Sequence, residues 1–421
     1  MKGYSETLDY LYGLEKFGMV FGLDNITWLL SLIGNPQDSL KTVHVAGTNG
    51  KGSVASMVSQ TLRTAGYSTG IYTSPHLISF TERIAAGGEA ISEEEVVELT
   101  QFMKERIDEA DAARRFTFFD FTTALAFEYF KRKAVDIAVV EVGLGGRLDS
   151  TNVIRPLVTV ITNVDFDHQD YLGTTIEEIA REKAGVVKDH VPVVTGAKGA
   201  ALEIIKAEAA ARTDLFVLGH DFTYKKKDDQ VMWYRGIRRT FDDLSISLRG
   251  DHQFFNAALA LCTLELLDPT GFSVKEHSVR KALASMEWPG RLELIRRPGD
   301  PLVLLDGAHN PQGVGALASY LRTHYVTRKK ILVFGVMKDK DFGVMLKELI
   351  PVVQQTILTK PEIGRAALPA DLVEYAPSAL VTASVKDAVA RAFKMAGEHD
   401  LIIITGSFYT LGEAKRLLDE R

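Results

Sequence analysis

A single cysteine, Cys262, stands in this chain of 421 residues. That excludes an intrachain disulfide framework and any cysteine-based zinc site. Cys262 lies in an apolar helical stretch and reads as a core residue. No apolar run approaches the roughly 20 residues that span a bilayer, and Met1 to Glu6 lacks the basic-then-apolar pattern of a secretory signal. The cytoplasm is the expected compartment. A positive excess is missing as well. The chain has 49 Lys and Arg against 55 Asp and Glu, a formal charge of −6, so electrostatics give no reason to expect nucleic acid as a partner. The one local basic run, Lys225 to Lys227, reads as a solvated hairpin face. No low-complexity segment, long repeat or complete dinucleotide fingerprint is present, and a redox cofactor is not indicated. What remains is an ordinary globular composition, 46% apolar and 25% charged, long enough for two domains. A monomer is the default expectation.

The richest stretch is Val43 to Ser53, VHVAGTNGKGS. A short apolar run, Val43 to Ala46, predicts a buried strand. A turn with Gly47, Gly50 and Gly52 around Lys51 follows, then a helical run from Val54 to Thr64. Strand, glycine loop and helix form a phosphate-binding layout, in which backbone N–H groups and the helix N-terminus attract anions. Lys51 is placed to meet outer phosphates, and Ser53 offers a hydroxyl to a metal ion. The spacing is unusual: Gly47 and Gly50 are close together, and Gly52 separates Lys51 from Ser53. The bland alternative is an ordinary glycine turn.

Residues 4–34 predict two helices around a Phe21–Asp24 turn, with Asp24 or Asn25 able to cap the second. Ser68 to Thr73 predicts a strand that Pro75 stops, which leaves Ser74 at its carboxyl end, where ligands gather in open α/β sheets. Ser92 and Glu95 form a capping box for a helix over 92–110. The aromatic run from Phe116 to Asp120 leads into a helix over 121–133 and reads mostly as core. Ile137 to Val140 predicts a strand ending at Glu141, where a magnesium-side carboxylate belongs in a phosphate-loop protein. The glycine-rich segment 143–149 reads as a loop over the same edge. Val158 to Val164 predicts another strand, with Asp165, Asp167, His168 and Asp170 at its end. Lys183 lies in a helix over 176–184, where its bland reading is a surface lysine. Residues 222–249 alternate as an antiparallel ribbon. Pro and Gly break the pattern at 288–301, which marks a linker. Beyond it, strands and helices alternate as in a doubly wound domain. The expected chain is therefore α/β. A phosphate-loop ATPase-type domain over 1–290 has a central, mostly parallel sheet plus a small ribbon, and a Rossmann-like domain spans 291–421.

These segments together resemble the folylpolyglutamate synthase/dihydrofolate synthase family, within the Mur ligase superfamily. The resemblance runs through GTNGKGS at 47–53, TSPHL at 73–77, ERI at 82–84, EVGLGGRLDSTN at 141–152, DHQDYLG at 167–173, EKAGVVK at 182–188, WPGRLE at 288–293, DGAHNP at 306–311 and TGS at 405–407. It implies ATP phosphates on Asn49, Gly50, Lys51, Gly52 and Ser53, further ATP contacts from Asn256, Arg291 and Asp306, and His309 near the phosphates. Ser74 and Glu141 would hold one magnesium ion, and Glu141 and His168 a second. Lys183 matches a lysine that is carbamylated in the family. A pterin-bearing substrate would meet Gly22, Leu23, Asp24 and Asn25, then Thr117, Phe118, Phe119 and Asp120, then Leu148, Asp149 and Ser150. Asp120 departs from the glutamate frequent in relatives.

The reaction so implied is amide formation driven by ATP. A carboxylate attacks the γ-phosphorus to give an acyl phosphate, and the amino group of L-glutamate displaces phosphate from it. Lys51, Lys183, Arg291 and His309 are the expected catalytic set. Dihydropteroate, reduced folates, L-glutamate and ATP are the expected small-molecule partners, without membrane or nucleic acid. Two alternatives share part of this pattern. A Mur-type ligase of cell-wall precursors would share the ATP site, but TSPHL and LGGRLDSTN favour the folate branch and no extra domain of roughly 100 residues precedes the loop. A phosphate-loop switch or binding module would have no use for DGAHNP in a second α/β domain.

Overall fold

The computed structural model describes residues 3–14, 22–110, 114 and 116–420. Phe21 of the expected first turn lies outside them. The first sheet has eight strands: β1 Thr42–Ala46, β2 Thr69–Tyr72, β3 Ile84–Ala86, β4 Glu89–Ala90, β5 Ile137–Glu141, β6 Val158–Ile161, β7 Val193–Thr195 and β8 Leu215–Val217. Their spatial order is β4-β3-β2-β5-β1-β6-β7-β8. The strands from β2 to β8 pair in parallel, and β3 and β4 add an antiparallel edge. The central strand β1 is buried throughout. That suits Val43, Val45 and Ala46, because a parallel sheet covered on both faces needs apolar side chains on each. One face packs on the helices Lys51–Thr64 and Asp251–Leu267. The other packs on Phe118–Arg132 and the N-terminal helices.

Strands β9 Thr223–Asp228, β10 Val231–Arg235 and β11 Thr240–Ser245 form the separate antiparallel ribbon. Lys225 to Lys227 lie on its exposed edge, where Lys226 and Lys227 pair with Asp251 and Asp243. The second sheet contains β12 Glu293–Ile295, β13 Leu302–Leu305, β14 Lys330–Phe334, β15 Gln355–Leu358, β16 Leu380–Val381 and β17 Leu401–Thr405. Its order is β12-β13-β17-β14-β15-β16, parallel except for the edge strand β12. In each sheet a later strand inserts beside the first of the parallel strands, β5 beside β1 and β17 beside β13. This creates a switch point, and the loops after the flanking strands splay apart into a crevice. The two crevices face each other.

Three local expectations need correction. The helix after the phosphate loop begins at Lys51, three residues before Val54, because Gly50 takes the left-handed conformation (φ 82°) that turns strand into helix. The helix expected from Phe121 begins at Phe118. Thr117 is its N-cap, with Asp120 at N3 completing a reciprocal box that the aromatic run masked. Neither Asp24 nor Asn25 caps Asp24–Leu32; its N-cap is Leu23, with no side-chain bond. No helix among the described residues is long and apolar enough to cross a membrane.

Candidate active site

A cavity of about 490 Å3 opens between the two crevices. Asn49, Gly50 and Ser53 line it from the first sheet's side, and Arg291, Asp306 and His309 from the second. Asn256 and Gln253 reach it from Asp251–Leu267, bonded to each other at 3.0 Å. The loop is stitched to its surroundings through Asn49. Its N–H donates to Asn163 Oδ1 at 2.8 Å. Its side-chain amide exchanges hydrogen bonds with that of Asn310, at 3.2 and 3.0 Å, across the interdomain gap.

Lys51 turns its ammonium back onto the carbonyls of Gly47 and Thr48, each at 3.1 Å. Lys183, only 3% exposed, donates to the same Gly47 carbonyl at 3.0 Å. The surface reading of Lys183 therefore fails: the helix Ile176–Ala184 turns this residue inward. Burial lowers its pKa to about 7, and the Lys51 charge adds to the effect. Burial also lowers Lys51, against the pull of Glu141 and Asp167. Arg291 is lowered by burial against Asp306 and Glu141. Its Nε has no hydrogen-bond partner, and its guanidinium lies over the Phe408 ring at 4.7 Å. Of these three basic groups Arg291 lines the cavity, while Lys51 and Lys183 meet at the Gly47 carbonyl of the loop. A polyphosphate would supply the missing counter-charge.

Glu141 is 5% exposed, its carboxyl raised by burial despite Lys51 and Arg291. Its Oε2 accepts a weak bond from the Ser74 N–H at 3.3 Å. This leaves lone pairs suited to a hard cation. Among the described residues no three His, Cys, Asp or Glu side chains gather as a metal cage, and a magnesium ion does not need one, since it keeps waters and takes phosphate oxygens. His168, in the left-handed conformation (φ 50°), joins a charged group instead. Lys340 lies 3.3 Å from its Nε2 and 2.7 Å from Asp167 Oδ1. Burial lowers His168 to about 4. Asp167, despite its own burial, is held well below the usual carboxylate range by His168, His309 and Lys340. His309 bonds Gly307 O through Nδ1 at 2.8 Å and points Nε2 toward Asp167 at 3.7 Å. Asp306 spends its carboxylate on the N–H groups of Leu292 and Ala308.

The third candidate group is brought together by Asp120. It accepts from Thr117 N and Oγ1 on one oxygen and from Ser150 Oγ at 2.7 Å on the other. Phe118 stacks on Tyr12 at 5.7 Å and Phe119 on Tyr72 at 5.9 Å. Asp149 is committed to the loop itself, accepting from Leu144 N and Thr151 N. Leu148 is half-buried beside it, and Gly22, Leu23, Asp24 and Asn25 enter the neighbouring helix. Residues missed from the sequence include Asn163, Gln253, Phe408 and Lys340. The last had a signal: Lys338-Asp339-Lys340-Asp341 follows β14, at the carboxyl edge where ligands collect.

A phosphate loop on one sheet facing an acid, an arginine and a histidine on another defines a two-domain nucleotide-dependent ligase. Residues 45–264 match the Mur ligase middle domain and residues 290–408 the Mur ligase glutamate ligase domain. The chain is 35% identical to the Bacillus subtilis dihydrofolate synthase/folylpolyglutamate synthase over 99% of both proteins. It superposes with TM-score 0.91 on Mycobacterium tuberculosis folylpolyglutamate synthase complexed with ADP and AMPPCP, at 33% identity and 98% coverage of each chain. Escherichia coli FolC in complex with DHPP and ADP gives TM-score 0.91 at 30% identity, over 100% of this chain and 98% of that one. The chain therefore belongs to the Mur ligase family of ATP-dependent ligases and, within it, to the folylpolyglutamate synthase/dihydrofolate synthase family.

Proposed function

We propose that this enzyme joins L-glutamate to dihydropteroate, giving dihydrofolate, and to reduced folates, giving folylpolyglutamates. The observation that carries the reading is the single cavity shared by Asn49, Gly50 and Ser53 on one side and Arg291, Asp306 and His309 on the other. Residues 1–290 act as the ATP-binding domain and 291–421 as the glutamate ligase domain.

ATP phosphates lie along Asn49, Gly50, Lys51, Gly52 and Ser53, with Asn256 and Asp306 flanking the nucleotide. The pterin-bearing substrate lies against Thr117–Asp120, Leu148–Ser150 and Gly22–Asn25. Its carboxylate attacks the γ-phosphorus and ADP leaves. Lys51 and Arg291 offset charge on the transferring phosphoryl group. The glutamate amine then attacks the acyl carbon and phosphate departs. Closure around Asn49 and Asn310 excludes water, which would otherwise hydrolyse the acyl phosphate. Positioning and electrostatics suffice, and no protein nucleophile forms a covalent bond.

Ser74 and Glu141 would hold a magnesium ion, and Glu141 with His168 a second. Such ions, when bound, neutralise phosphate charge. The buried, weakly bonded carboxylate of Glu141 supports this. Lys183 is a carbamylation candidate. With a pKa of about 7 roughly half of its amine is neutral at neutral pH, and a neutral amine can add carbon dioxide, releasing one proton and leaving an anion suited to a hard cation. We take the enzyme to be a cytoplasmic monomer, a point open to light scattering.

The test is ADP release with ATP, magnesium and L-glutamate, adding dihydropteroate or tetrahydrofolate separately. Glutamate-dependent release with both is expected. Release with tetrahydrofolate alone would restrict the enzyme to polyglutamate synthesis. Release with neither would overturn the proposal.

A further inference from the structure

The loop between β2 and β3 is closely hydrogen-bonded within itself and makes contacts in three directions. Thr73 N donates to Arg83 O at 2.9 Å and closes it. Inside, the Glu82 carboxylate gathers the N–H groups of Leu77, Ile78 and Ser79 at 2.7, 2.9 and 2.7 Å. Arg83 Nε bonds His76 Nδ1 at 2.8 Å. At its root, Ser74 N reaches Glu141. On one flank, Phe80 meets the Phe118 ring edge-on at 6.2 Å and Arg83 lies over the same ring at 5.1 Å. On the other flank the loop leaves its own domain. Leu77, 8% exposed, is part of the apolar cluster formed by Val303, Ile404 and Leu411 of the second sheet and its helices. Arg416 of the helix Phe408–Asp419 donates to Ile78 O at 2.6 Å.

The joint closes on Gly412. A Cβ at this position would lie 2.0 Å from the Leu77 carbonyl oxygen. That atom is backbone, inside a loop whose Leu77, Ile78 and Ser79 N–H groups are fixed by Glu82, so it has no side-chain torsion by which to move aside. Only a residue without a Cβ allows the loop and the helix to touch.

We propose that Gly412 is a positioning residue of the ligase. It is the seat through which the second domain, when docked, holds the 73–83 loop and so sets Ser74 beside Glu141 and Phe118 in the substrate wall. The inference rests on the ligase reading of the cleft and adds a route by which domain placement reaches the acceptor side without passing through the nucleotide.

The experiment is steady-state ADP release by Gly412→Ala, with Gly397→Ala as a control. Gly397 is exposed in the same domain, and its nearest neighbour beyond the adjoining chain is 3.9 Å away. The expected result for Gly412→Ala is a fall in kcat of about tenfold or more and a raised KM for the pteroyl substrate. The dissociation constant of ADP, measured by calorimetry on the same sample, should change less than about threefold. Arg416→Ala inserts no atoms and guards against misfolding; it should shift kcat in the same direction by a smaller factor. Gly397→Ala should match the parent. Parent-like kcat and KM in both Gly412→Ala and Arg416→Ala would overturn the inference. So would a loss of thermal stability with unchanged kinetics per folded molecule. Absence of glutamate-dependent turnover in the parent would instead defeat the ligase reading.

Discussion

Replacing Lys183 by methionine should stabilise the substrate-free protein while abolishing ligation, and the gain should depend on pH. The lysine is buried and its pKa falls from 10.5 to about 7. At about 1.36 kcal/mol per pKa unit, holding the folded site against protonation costs about 5 kcal/mol at full effect. The sign follows from proton counting. Between pH 7 and 10.5 the unfolded chain binds a proton that the folded site has lost, so this group makes parent stability rise with pH across that window. Below pH 7 both states are protonated and the full penalty stands. Methionine removes the penalty and forfeits the bond to Gly47 O, worth about 1 kcal/mol. The variant should therefore exceed the parent by about 4 kcal/mol at pH 6 and about 1 kcal/mol at pH 9. Thermal midpoints in carbonate-free buffer would read the difference, since other titrating groups are common to both proteins. Bicarbonate should raise the parent midpoint and leave the variant unmoved, if the amine takes up carbon dioxide. A gap that stays flat from pH 6 to 9, or a variant less stable at both, would refute the argument.

Gly50→Ala forces a left-handed conformation on alanine, at about 1 kcal/mol, and sets its Cβ 2.3 Å from Asn256 Oδ1. ADP affinity should drop by about tenfold or more in calorimetry, with little loss elsewhere. Arg291→Ala removes a half-buried guanidinium whose enclosed Nε is unpaired. Turnover should fall by at least about a hundredfold while the thermal midpoint stays within a few degrees; unchanged turnover would remove Arg291 from the phosphoryl step. Ser150→Ala deletes the 2.7 Å bond to Asp120. Its loss, about 1 kcal/mol, should raise the KM for the pteroyl substrate about fivefold and leave that for ATP alone.

The legible parts of the chain were those governed by local rules. Apolar runs bounded by glycine placed most strands of both sheets, and the joint presence of many short motifs carried the family. Short edge strands escaped, because β3, β4 and β12 have two or three residues each and little period to read. The start of Phe118–Arg132 was hidden by an aromatic run that looked like core yet follows its own cap, Thr117. Lys183 illustrates a deeper limit. Helical spacing turns a lysine toward one side of a helix, but only the placement of β1 and the Gly47 carbonyl decides whether that side is water or interior. Phe408 was invisible for the same reason: its use as a platform under Arg291 and His309 depends on two segments more than 90 residues apart in sequence, at about 6 Å or less.

Cys262 has a practical consequence. Its thiol is fully enclosed, and burial raises it far out of the reactive range. Maleimide dyes should pass it by. Cysteines added to exposed sites, one in each half, would then label selectively against a silent native background. Any change in the distance between the two halves could be followed by energy transfer between the dyes, molecule by molecule, with no native residue sacrificed to make the measurement.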